Sequence, residues 1–344
     1  MKQKWPGRLI LFGIFLAGLL MLFAELSRIF MRKEGDGDLS ILSSSYYHLE
    51  KNTLDVLCIG SSHAFTSFQP NVLWHEQGIT SYVIGGPSQT FVTSYYMLKD
   101  ALQYQKPKVV LLEGYYFRTY HAFASEERLH ASIDGMRLGK VKKEMLDDEL
   151  SDYSLKDRLE FYFPFLLYHS RWNELQTKDF YAKEWNKGSN INFEIDPQRD
   201  PGLDVEEADI PEMALDYFER IRTLCAENGI ALAVYFSPFS DLDGEEREWY
   251  EETQGRNRKA EGYLRDRGIP LYYCQREMED LDFAHDFEDY EHPNVWGAGK
   301  VTKYLGDRLA SDFGLKGHKK EASFASWDRD YEEYRNYVEL HSKE

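Results

Sequence analysis

The chain has few cysteines, few cations for its acids, and only one long apolar run. Its three cysteines, Cys58, Cys225 and Cys274, form no C-x-x-C pair and no metal-type spacing, which argues against a disulfide framework or a metal site. Cys58 lies inside an apolar run and reads as packing, while a single Cys225–Cys274 bridge stays open. Lysine and arginine number 41 against 59 acidic residues, a net charge of −18 over 344 residues. Phosphate backbones demand concentrated cations, so nucleic acid is not an expected partner. No G-x-G-x-x-G run is present, and WGAGK (296–300) lacks phosphate-loop spacing, so no cofactor is expected. Internal repeats and low-complexity segments are also missing. An apolar content of 42% and an aromatic content of 15% nevertheless fit a folded globular chain.

The single long run lies at the N-terminus. Residues 9–24 (LILFGIFLAGLLMLFA) are sixteen residues without a charge, and Leu26, Ile29, Phe30 and Met31 extend the run past Glu25. At 1.5 Å per residue the full stretch just spans a hydrocarbon core of roughly 30 Å. Lys2, Lys4 and Arg8 precede it, and no small-x-small cleavage site follows, which favours an uncleaved anchor over a cleaved signal. Arg28, Arg32 and Lys33 beyond it blur the positive-inside reading. A single-pass anchor in the cell membrane with an extracytoplasmic body is the expectation. That body is more acidic than the whole chain, so the apolar span, not headgroup attraction, has to do the anchoring.

Beyond the span, residues 34–51 are polar and read as a tether. Short apolar runs then alternate with helical patterns. Strands are expected at 54–60 (LDVLCIG), 80–86, 107–114 (PKVVLLEG), 229–238 (GIALAVYFSP) and 268–274. Helices are expected at Pro70–Gln77, 89–104, up to Gly229, 245–267 and Val295–Phe313. This order specifies an α/β fold with a doubly wound, mostly parallel five-stranded sheet. The resulting organisation is an anchor at 1–33, a tether at 34–50, an α/β domain at 51–313 and a C-terminal helical tail at 314–344. A helical insertion at 115–208 falls between strands 3 and 4, as a lid, a partner surface or an enlargement of the core. The stripe Trp327, Tyr331 and Tyr334 in the tail reads as packing.

In an open parallel sheet, ligands bind at the carboxyl ends of the strands. Gly60, Ser61 and Ser62 lie at the first such end, where a serine on a tight strand-to-helix turn has a free backbone N–H. Asp289 and His292 lie three apart in the loop after the last strand. At that spacing the carboxylate can orient the ring through Nδ1, leaving Nε2 to take a proton from a serine. Pro293 holds His292 extended, and Asn294 can cap the final helix. His63 adjoins the serine, with its side chain expected to point elsewhere. Asp282, His285, Asp286 and Asp289 include metal-type ligands, but an acidic loop is read as solvated and no metal is assigned. Gly60 to Ala64 approximates the G-x-S-x-G elbow of α/β-hydrolases, yet that elbow follows several strands, whereas Ser62 follows the first.

With VLCIGSSHAF (56–65), YVIGGPSQT (82–90), PKVVLLE (107–113) and DYEHPNVWGAGKVTKYL (289–305) in this order, the chain resembles the SGNH/GDSL hydrolase superfamily. The likeness is strongest to its membrane-anchored extracytoplasmic branch, which includes proteins of teichoic-acid D-alanylation and exopolysaccharide O-acetylation. It covers about residues 51–313 without the insertion. The resemblance implies an SGNH-hydrolase/flavodoxin-like fold, Ser62 as nucleophile, and Asp289 and His292 as its partners. It also implies an oxyanion hole from the N–H groups of Ser62 and of Gly85 or Gly86. The asparagine that many members carry after strand 3 is missing; Tyr115 or Tyr116 stands near that place. The implied function is a serine O-acyltransferase or acylesterase acting on a cell-surface polysaccharide or wall polymer, through an acyl-Ser62 intermediate. A multi-pass membrane O-acyltransferase is the implied partner. The alternative is a non-catalytic SGNH-like scaffold subunit of a surface-polymer acylation complex.

Overall fold

The computed structural model describes residues 5–31, 45–180, 185–199, 202, 205–240 and 246–342; residues 34–44 of the expected tether lie outside these. Helix α1 (Trp5–Phe30) is the apolar N-terminal segment. The body begins with β1 (Val56–Gly60), α2 (Ser62–Ser67), α3 (Pro70–Gln77), β2 (Ser81–Gly85), α4 (Phe91–Ala101) and β3 (Val109–Glu113). Between β3 and β4 lie α5 (Glu126–Ile133), α6 (Lys140–Glu149), α7 (Leu155–Tyr162), α8 (Phe165–Tyr168) and α9 (Thr177–Phe180). Then come α10 (Glu212–Glu227), β4 (Ala231–Phe236), α11 (Glu246–Arg265), β5 (Leu271–Tyr273), α12 (Cys274–Glu277), α13 (Val295–Phe313) and α14 (Ala325–His341).

The five strands pair in the order β2-β1-β3-β4-β5, and every pairing is parallel. The expected doubly wound sheet is therefore present, and parallel throughout. Strand residues alternate between two apolar layers. Leu57, Ile59, Ile84, Val110, Leu112 and Phe236 enter the layer that holds residues of α4 and α10, while Val56, Cys58, Val83, Leu111 and Tyr235 enter the layer under α2, α3 and α13. Burial on both faces explains why the strands read as continuous apolar runs instead of alternating ones. Each fully buried aliphatic side chain contributes about 1.5–3 kcal/mol relative to exposure. The strands are shorter than the apolar runs, by up to three residues at an end, although β1 ends at Gly60 as expected.

Helix ends follow local chemistry. Pro70 opens α3 and Gly78, at φ 70°, closes it. Asn294 caps α13 by accepting from the N–H groups of Trp296 and Gly297, and Gly314, at φ 61°, ends it. In the tail, Trp327 and Tyr334 are buried, Trp327 packs against Trp74 at 5.7 Å, and Tyr331 stacks on His75 at 4.3 Å. All three cysteines are free and buried, so no Cys225–Cys274 bridge forms.

The edge strand β2 is covered by the chain that returns from the insertion, where Val83 N donates to Lys187 O at 3.0 Å. Gly188 follows at φ 86°, and a Cβ there would lie 2.0 Å from Val83 O. Such a contact cannot be relieved without moving the strand. Gly188→Ala is therefore expected to destabilise the fold by about 2–4 kcal/mol in denaturant unfolding. An unchanged midpoint would mean that this segment does not hold the edge.

Candidate active site

The sheet order reverses between β1 and β3, the crevice where open α/β sheets place ligands. Ser62 opens α2 directly beyond the carboxyl end of β1, and Ser61, its N-cap, accepts from His63 N at 3.3 Å. The facing loop is closed by an antiparallel bridge between Phe287 and Pro293, with Glu288 N donating to His292 O at 3.0 Å. Buried Asp286 ties the loop down, accepting from Asp282 N at 2.7 Å and from Lys300 Nζ at 2.6 Å. Asn294 adds a donor to His285 O at 2.7 Å. The loop is thus braced from both sides.

Within that frame Ser62 Oγ lies 2.9 Å from His292 Nε2, and His292 Nδ1 lies 2.9 Å from Asp289 Oδ2. An ionised carboxylate only accepts, so Nδ1 carries the proton and Nε2 is left to accept from the serine hydroxyl. Asp289 Oδ1 also accepts from Glu291 N at 2.7 Å and His292 N at 2.8 Å. Burial pushes the Asp289 carboxyl up, but His292 and these backbone donors outweigh it and hold the group below its ordinary value. For His292, burial pushes the ring down. The hydrogen bond and charge of Asp289, with the charges of Glu291 and Glu288, push it up and prevail.

Around the serine lie charged groups that the sequence reading did not assign. Glu113, the last residue of β3, is fully buried and raised to about 7 by that burial. It accepts from Ser61 Oγ at 3.0 Å and from Tyr115 N at 2.7 Å, tying the turn before Ser62 to the end of β3. A lone acid ending the run VVLLE was the available signal. Glu288 is likewise raised to about 7 by burial. His63 does not point away: its ring stacks on Tyr115 at 4.1 Å and lies 5.1 Å from the His292 ring. Burial, then the charges of His292 and Arg118, hold it well below its ordinary value, and its buried Nδ1 has no partner. It forms a neutral wall beside the His292 ring.

The glycines assigned to the oxyanion hole fall on the same rim. Gly85 pairs in register with Gly60, and a Cβ there would meet Ser61 O at 3.2 Å and Phe65 Cδ1 at 3.1 Å. Gly86 is packed on Ser132, whose Oγ would lie 2.2 Å from a Cβ. Neither tyrosine replaces the missing asparagine, because both phenols are engaged elsewhere. Tyr115 OH donates to Glu291 Oε1 at 3.0 Å, and the Tyr116 phenol is bonded to the Ser88 side chain. Two triples, His63/Glu291/His292 and Glu288/Asp289/His292, bring metal-type ligand atoms within 4.8 Å of one another. Both need His292, whose nitrogens already face Asp289 and Ser62, so a metal there would displace one of those partners. Next to His292 opens a cleft of about 500 Å³, lined by Tyr115, Arg118, Tyr120, Trp249, Tyr290 and Glu291.

No protein-family model and no curated protein matches the chain. Among solved structures it is similar to a candidate acylhydrolase from Bacteroides fragilis, at 10% identity and a TM-score of 0.39, over 81% of this chain and 99% of that one. It is similar as well to a GDSL-like lipase from Bacteroides thetaiotaomicron, at 10% identity and a TM-score of 0.39, over 82% of this chain and 100% of that one.

The balance at His292 yields a measurable expectation. NMR titration of its ring should give a pKa above the ordinary 6.5. Asp289→Asn removes the main raising partner while burial persists, so the value should fall below that of the native protein. Because Nε2 accepts from Ser62 only when unprotonated, any reactivity of Ser62 should switch on as pH rises through the His292 pKa, and earlier in Asp289→Asn. A ring that titrates at the same pH in both proteins would remove Asp289 from its assigned role.

Proposed function

We propose that the protein is a membrane-anchored, extracytoplasmic serine acyl-transfer enzyme that moves a small acyl group, acetyl in the simplest case, on a cell-surface polysaccharide or wall polymer. One observation carries this reading: the hydrogen-bonded array Ser62–His292–Asp289, whose loop also sends Tyr290 and Glu291 into the lining of an aromatic cleft. Ser62 Oγ attacks the acyl carbonyl while His292 Nε2 takes its proton. The N–H groups of Ser62 and of Gly85 or Gly86 hold the oxyanion, a contact worth about 2.7–4 kcal/mol per donor in comparable sites. His292 then returns the proton to the leaving group, and acyl-Ser62 remains. A sugar hydroxyl in the cleft, deprotonated by His292, attacks the acyl-serine carbonyl. The new ester forms and Ser62 regains its hydrogen; water in place of the sugar gives hydrolysis.

Three features support the acceptor and the location. Trp249 and Tyr290 line the cleft with aromatic rings of the kind that stack on sugar rings. Arg118 lies over the Tyr115 and Trp249 rings, at 5.2 and 5.3 Å, where it can donate to hydroxyls or to an anionic substituent. α1 is 26 residues long, and its large apolar side chains from Leu9 to Leu22 are exposed. A multi-pass membrane O-acyltransferase would deliver the acyl group across the bilayer in this reading.

The test uses the full-length protein, an activated aryl acetate and candidate polysaccharides. Acetyl should appear on Ser62 and vanish in Ser62→Ala, while Ser61→Ala still becomes labelled. Asp289→Asn should slow labelling strongly, by analogy with the loss of about 10⁴-fold in a serine-protease triad. An acceptor polymer should speed loss of the label and gain the acetyl. Loss to water alone would indicate a deacylase. An unmodified Ser62 even with the membrane acyltransferase present would replace the enzyme with the scaffold.

A further inference from the structure

We infer that the insertion from α7 to α9 forms a foot that enters the interfacial layer of the bilayer beside α1, so that the body stands on the membrane in one orientation. This rests on reading α1 as an uncleaved span and adds what the insertion does there. The first argument is depth. The uncharged window of α1, residues 9–24, covers only about 24 Å at 1.5 Å per residue, short of a hydrocarbon core of about 30 Å. Phe23 lies inside that window, yet its ring packs edge-on against Phe163 at 5.6 Å and Phe165 at 5.9 Å. The turn between α7 and α8 therefore sits level with the apolar segment, not above it.

The contact continues past Glu25. Phe30 packs on Phe165 at 5.1 Å, and Phe165 N donates to Ser27 Oγ at 3.2 Å. Arg171 Nη1 donates to Phe30 O at 2.9 Å, satisfying a carbonyl that the helix end leaves free. Glu25 and Arg28 neutralise each other at 2.6 Å. The second argument is exposure. Leu155 is 74% exposed, Trp172 72% and Phe180 43%, with Leu159, Leu166 and Leu167 between 36% and 39%. An apolar set of this size on one stretch is not a surface for water. Trp172 is the residue type that concentrates at the headgroup level. A protein partner would also cover apolar side chains, but this face begins where the span ends, and lipid is already there.

The experiment reconstitutes the full chain in lipid nanodiscs without any partner. The three native cysteines are buried, so an environment-sensitive dye can be placed singly by Phe15→Cys in α1, Leu167→Cys in the foot, or Glu251→Cys on α11. The dye at 167 should emit to the blue of the dye at 251. It should be quenched more by a nitroxide high on the acyl chain than by one at the chain end, and it should be shielded from aqueous iodide. If 15 is quenched by lipid nitroxide while 167 behaves like 251, the foot is overturned and the span stands. If 15 is not quenched by lipid nitroxide, the span fails and the foot with it. If 167 escapes iodide only after a membrane partner protein is added, without lipid quenching, the face belongs to that partner and the inference is overturned.

Discussion

A 2.9 Å hydrogen bond from Ser62 Oγ to His292 Nε2 joins residues separated by 230 positions of chain, and most of the architecture serves to keep its two ends in place. One end is fixed by β1, the strand flanked on both sides by β2 and β3, whose last residue delivers the serine onto a one-residue turn. The other is fixed by a seven-residue loop closed by its own bridge and locked to α13 through Asn294. A shift of about 1 Å at either end would break the contact, and positional losses of that size cost about 100-fold in enzymes. Rigidity here is a requirement of proton transfer as well as of stability.

The electrostatics around this bond have a consistent sense. Four carboxylates, Glu113, Glu288, Asp289 and Glu291, crowd the serine–histidine pair. Only Asp289 is held below its ordinary value, since it alone accepts both the ring and two backbone donors. The other three are raised, with burial the largest cause in each, against the charge of His292 that lowers them. The pair is thereby given one committed anion next to the ring, with softer acids behind it. His63, neutral and stacked on Tyr115, lies 5.1 Å from the His292 ring without adding charge.

The parts of this structure that were legible in the sequence are those set by short-range rules. α3 and α13 have the bounds expected to the residue, because Pro70 and Gly78 punctuate one and Asn294 and Gly314 the other. Parallel strands showed as apolar runs because both faces are buried. Asp289 and His292 stood out because they lie three apart in a loop. Glu113 stood out only as a lone acid ending an apolar run, and the environments of Glu113 and His63 were not legible, since each is set by a partner from another strand or loop, Ser61 for the one and Tyr115 with His292 for the other. Sequence spacing carries no record of such meetings. The contact of Phe23 with Phe163 and Phe165 was hidden for the same reason.

The central claim is that His292 activates Ser62 and no other serine. It is tested most directly by treating the full-length protein with a fluorophosphonate, which captures serines already activated by a base, and mapping the adduct by mass spectrometry. A single adduct on Ser62, abolished in His292→Ala and after thermal unfolding, is the predicted result. A folded protein that takes up no phosphonate, or takes it up equally in His292→Ala, would contradict the account.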